Sequence, residues 1–78
     1  MKELTLEELE NLKNRLNRLE LQLLTHYGLD KLNGGFVTSQ MYDYDDKVIE
    51  VEVLSGISGE DMTTEIIQLN RETLEIIK

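Results

Sequence analysis

Five leucines constrain this chain more than anything else in it. Leu9, Leu12, Leu16, Leu19 and Leu23 recur at spacings of 3, 4, 3 and 4. At 3.6 residues per turn, that rhythm puts all five on one face of an α-helix. The flanks carry matching start and stop signals. Thr5, with Glu8 three residues later, is a capping box, and Leu4 and Leu9 stand where a hydrophobic staple would close around it. Glu7 and Glu8 fall in the first turn, where the helix dipole favours negative charge. Gly28, after Tyr27, is free to take the left-handed conformation that ends helices. The sequence therefore predicts a helix over residues 6–27, about 33 Å long at ~1.5 Å per residue.

The stripe has two readings. In the first, the helix lies on a sheet and the leucines are core. In the second, Leu9, Leu12, Leu16, Leu19 and Leu23 also pair with another copy of the chain. Leu6, Leu24 and Tyr27 widen the stripe and Leu21 lies off it. The pattern runs for two heptads, short of the three to four that specify a coiled coil.

The rest of the chain changes period. Asn33-Gly34-Gly35 punctuates a connector over residues 28–35. Phe36–Tyr42 reads as a first strand. Asp43-Tyr44-Asp45-Asp46 reads as a tight turn, because aspartates bond their own backbone there. Over Lys47–Leu54, Ile49, Val51 and Val53 alternate with Glu50 and Glu52, which makes this the clearest strand. Ser55–Asp61 reads as a loop. Residues 62–78 fit either a second helix or a hairpin of Thr63–Leu69 with Thr73–Ile77 around Asn70-Arg71-Glu72. Their β-branched residues favour the hairpin.

The expected architecture is α+β in two layers: one long N-terminal helix packed on an antiparallel sheet of about four strands. Residues 1–78 form one domain, a helix (6–27) followed by an acidic β region (36–78). The core face of the sheet would take Ile49, Val51, Val53, Ile67, Leu69, Leu74 and Ile76. The opposite face would carry Val48, Glu50, Glu52, Leu54, Ile66 and Ile77, joined by Phe36 or Tyr42. Apolar area rimmed by charge in this way marks an interface.

Charge is divided unevenly. Residues 1–39 hold 5 Lys/Arg against 6 Asp/Glu, whereas residues 40–78 hold 3 against 10. The total of -8 would repel phosphates, so nucleic acid and anionic lipid are poor partners and a basic protein surface is a good one. With no cysteine and one histidine, thiolate metal sites and most zinc designs are excluded. No metal or cofactor is expected. The chain shows neither a membrane span nor a signal peptide, so the expected compartment is the cytoplasm.

No catalytic motif stands out. Asp43-Tyr44-Asp45-Asp46 fails as a calcium loop, since Val48 and Leu54 fall where the turn glycine and closing glutamate belong. Glu50 and Glu52 point the same way but have no cleft to tune them as an acid/base pair. His26 has no nucleophile beside it and suits a helix C-terminus. Ser55-Gly56-Ile57-Ser58-Gly59 lacks the lysine of a phosphate loop and is followed by Glu60-Asp61.

The strongest constellation is an acidic rim with aromatic anchors: Tyr42, Asp43, Tyr44, Asp45, Asp46, Glu50, Glu52, Glu60 and Asp61. It forms one surface if the turn and the loop lie near each other. Tyrosines and carboxylates suit a Lys/Arg-rich partner. The function expected on this reading is a non-enzymatic inhibitor or adaptor, of a type carried by phages and mobile elements. It would occlude a partner's basic, nucleic-acid-binding surface. The alternative is a homo-oligomeric assembly protein, expected as a homodimer joined through the leucine-rich helix, and a helix-mediated dimer of that kind leaves the acidic face free. An enzyme would need a site hidden between copies, for example around His26.

Overall fold

A computed structural model describes residues 3–77. Its elements are α1 (Leu6–His26), a short 3-10 turn at Leu29–Lys31, β1 (Gly35–Tyr44), β2 (Val48–Ile57) and β3 (Met62–Asn70). The strands form one antiparallel sheet in the order β1-β2-β3. The helix packs across one face of it, giving a two-layer α+β fold.

The helix begins as its residues dictate. The Glu8 N–H donates to the Thr5 hydroxyl at 3.1 Å, and the Thr5 N–H donates back to Glu8 Oε1 at 3.0 Å. It ends with Tyr27 as the C-cap and Gly28 at φ 73°, a conformation that costs a glycine nothing.

Leu12 and Leu19 are buried under the sheet, and Ile49, Val51, Val53 and Leu69 meet them from its inner face. Leu16, Leu23, Leu24, Ile67 and Leu74 pack around this cluster partly buried. Burying a leucine or isoleucine side chain is worth about 1.5–3 kcal/mol, so these few residues carry the fold. Ile76, expected in the core, is 48% exposed.

Three boundaries differ from expectation. β1 runs on through Asp43 and Tyr44, and only Asp45–Lys47 turn. A bulge between Met41 and Asp43 lets Tyr44 regain the inner face. β2 continues through Ser55, Gly56 and Ile57, which leaves residues 58–61 as the loop. The sheet has three full strands rather than four. The C-terminal segment does return along β3, but only briefly. Ile76 bridges Leu69, Asn70 N–H donates to the Glu75 carbonyl, and Ile77 N–H donates to the Gln68 carbonyl.

Candidate functional site

The strand register defines the face that α1 leaves open. Antiparallel partners share a face, so the rows alternating with the core rows all point away from the helix. From one end these rows are Phe36-Gly56-Met62, Thr38-Leu54-Thr64, Gln40-Glu52-Ile66 and Asp43-Glu50-Gln68. The face is therefore graded. Phe36, Leu54, Met62 and Ile66 make one end apolar, with Met62 and Ile66 about half exposed. Asp43, Glu50 and Glu52 make the other end acidic.

Amides on the flanking strands hold the two glutamates against the sheet. Gln40 Nε2 donates to Glu52 Oε1 at 2.9 Å, and Gln68 Nε2 donates to Glu50 Oε2 at 3.3 Å. Asp43 stands directly opposite Glu50, and like charges so placed repel. Tyr42 projects at the bulge, 63% exposed.

The remaining acidic candidates do not join this face. Asp45 is committed to its turn, where Oδ1 accepts from the Lys47 and Val48 N–H groups, both at 2.8 Å. Those two bonds hold its carboxyl below the usual range. Tyr44 is half-buried on the inner face, with the Arg71 guanidinium 5.6 Å from its ring centre. Asp46 is exposed and acts on Arg71 electrostatically. Glu60 and Asp61 lie in the turn at the far end of β2. Ten strand residues separate the two turns by about 33 Å. A single rim of turn and loop therefore does not form.

Arg71 is the functional-looking residue that sequence reasoning passed over. It is 8% exposed, and its guanidinium bonds to Glu3, Glu8 and Asp45. Nε donates to Glu8 Oε2 at 3.0 Å and Nη2 to Glu8 Oε1 at 3.2 Å. Nη1 reaches the Asp45 carbonyl at 2.8 Å, and Nη2 reaches the Glu3 carbonyl at 3.0 Å. The same Glu8 carboxylate that caps α1 thus receives a forked arginine. The Arg71 bond, then the bond from Thr5, pulls its pKa down to about 2. Glu8 in turn pushes the Arg71 pKa up. The available signal was its isolation: Lys47 and Arg71 are the only cations between residues 40 and 77.

The leucine seam is largely consumed by the chain itself. Leu12 and Leu19 are core, Leu16 and Leu23 are half-buried, and Leu9 alone of the five counts as exposed, at 40%. Pairing through Leu12 and Leu19 would strip the sheet of its cover. His26 is exposed in the last turn, its ring 5.5 Å from that of Tyr27.

Among the described residues, no group of three or more His, Cys, Asp or Glu side chains could hold a metal ion. No described helix is long and apolar enough to cross a membrane. No family model, curated protein or solved structure matches this chain.

Proposed function

We propose that this chain is a non-enzymatic, acidic protein-binding module of the cytoplasm. Its open sheet face docks on a basic surface of a partner and occludes nucleic acid from it. The observation that carries the reading is the graded face: apolar Phe36, Leu54, Met62 and Ile66 run directly into Asp43, Glu50 and Glu52. Apolar contact supplies affinity, and the carboxylates supply orientation and association rate. Tyr42, exposed at the bulge beside the acidic end, is the aromatic anchor. Asp43, Glu50 and Glu52 are the contact carboxylates. Asp45 serves the turn instead, and Glu60 and Asp61 lie outside the footprint.

The test is affinity capture from a cell lysate at about 0.05 M and about 0.5 M salt. Wild type is compared with Glu50→Lys/Glu52→Lys and with Glu60→Lys/Asp61→Lys. Capture should fall with salt and be lost in the first variant only. The captured protein should also lose nucleic-acid binding when the chain is bound. Salt-independent capture, equal capture by all three chains, or a partner that still binds nucleic acid would each refute the reading.

A further inference from the structure

We propose that the chain also continues its sheet into a second copy of itself, across the free stretch of β3 at Met62–Ile66, about a two-fold axis through Thr64. The backbone groups of this edge lie outside the docking face, but the Met62 and Ile66 side chains belong to both, so the two proposals share those residues.

The two edges of the sheet are unequally guarded. On β1, Glu20 reaches over from α1, and its Oε2 accepts both the Ser39 N–H at 2.9 Å and the Ser39 hydroxyl at 2.6 Å. The bulge at Met41/Asp43 then twists that edge away from regular pairing. On β3, the returning C-terminal segment covers positions 68 and 70, where Ile77 N–H donates to Gln68 and Asn70 N–H donates to Glu75. Those two bonds also fix the parity of the strand. Outward-pointing backbone groups alternate, and β3 pairs with β2 without a register shift. The outward groups upstream are therefore those of Ile66, Thr64 and Met62. Residues 62–66 are all exposed; no bulge interrupts them, and their one charge, Glu65, points to the helix side, where its Oε1 accepts from the Tyr27 hydroxyl at 3.2 Å.

This five-residue window is self-complementary. An antiparallel copy centred on Thr64 sets Met62 opposite Ile66 of the second copy, twice, and Thr64 opposite itself. All three are hydrogen-bonding positions, so the seam gains up to six backbone bonds by the pattern of an antiparallel ladder. The exposed Met62 and Ile66 side chains cover one another on the open face. Thr63 falls opposite Glu65 on the helix side. Charge selects this register over its neighbours. Centring on residue 65 would set Glu65 against Glu65, and centring on 63 would set Glu65 against Asp61, each a like-charge pair. A seam of five residues is about 17 Å long and lies at the small end of specific interfaces. The dimer should accordingly be weak, with a Kd on the order of 100 µM. Because each chain carries -8, salt should strengthen it, the opposite of its effect on a basic partner.

The experiment is native mass by sedimentation or light scattering, from roughly 10 µM to roughly 1 mM, at low and high salt. The expected result is a shift from monomer to dimer that salt promotes, with Thr64 and Ile66 amides protected from hydrogen exchange only as the dimer fills. Thr64→Pro removes the central donor at an edge position that tolerates proline and should weaken dimerisation about tenfold or more. Because a proline also tests the fold itself, a second arm uses charge. Met62→Lys/Ile66→Lys and Met62→Glu/Ile66→Glu should each be monomeric alone, and should form a mixed dimer when combined. A monomer at every concentration and salt overturns the proposal, and so does a dimer whose mixed charge variants fail to pair.

Discussion

At the scale of single residues, the arginine fork on Glu8 has the sharpest consequence. Glu8 ordinarily titrates at 4.5 and in the fold titrates at about 2. A carboxyl with a depressed folded pKa contributes stability that is full above its unfolded value and is lost as pH falls toward the folded one. Melting temperature should therefore drop as pH falls from about 4.5 to about 2. Asp45, held low by its turn, shares the direction and contributes in the same acidic range. The part that belongs to Glu8 is isolated by comparison with Glu8→Gln. That variant should melt lower than wild type at neutral pH, and the gap should close toward pH 2. Calorimetry across this range checks it, and a gap constant with pH would show that Glu8 acts through packing alone. None of this network was legible in the sequence. Glu8 announced its cap because the capping box is local, whereas Arg71 lies 63 positions away and meets it only once the sheet has formed.

At the scale of elements, legibility follows the same distinction. The helix and the first two strands were readable because period, caps and turn residues all act within a few positions, whereas β3 lies in the segment that fitted either a helix or a hairpin, and only its β-branched residues favoured the strand. The fourth strand was overread, and the reason is a turn with an unusual member. Asn70 Oδ1 accepts from the Glu72 and Thr73 N–H groups, and Leu74 N–H closes back on the Asn70 carbonyl. This tight closure forces Leu74 to φ 64°, where a branched side chain is strained by about 1–2 kcal/mol. The residue stays because its side chain packs against the core and its carbonyl accepts from Arg15 Nε at 3.0 Å. After so abrupt a reversal only residues 75–77 reach β3. A pair of substitutions separates the two effects. Leu74→Ala loses packing and keeps the strain, while Leu74→Gly loses the same packing and relieves it. Leu74→Gly should be the more stable of the two by about 1 kcal/mol in denaturant melts. The reverse order would mean that the turn is not strained.

At the scale of the whole molecule, what matters is where the charge is spent. The molecule has two classes of carboxylate. Glu8, from the helix, and Asp45 hold the fold together, and their partners are close and fixed. Asp43 and Glu50 face each other across β1 and β2, and such a like-charge pair costs roughly 0.2–1 kcal/mol. Each has an isosteric neutral amide, so the repulsion is simple to remove. Asp43→Asn/Glu50→Gln should raise the melting temperature by a few degrees at low salt, following the ~4–8 °C per kcal/mol expected for a domain of this size. The gain should fade as salt screens the pair. Under the proposed function the same variant should bind its basic partner more weakly, since two of the three docking carboxylates are gone. The two readouts must move in opposite directions, because a charge pair that opposes folding and favours binding is an interface feature. If stability rises and binding is untouched, the acidic end of the face serves only to keep an uncovered sheet dissolved. The docking footprint then shrinks to its apolar end at Phe36, Leu54, Met62 and Ile66.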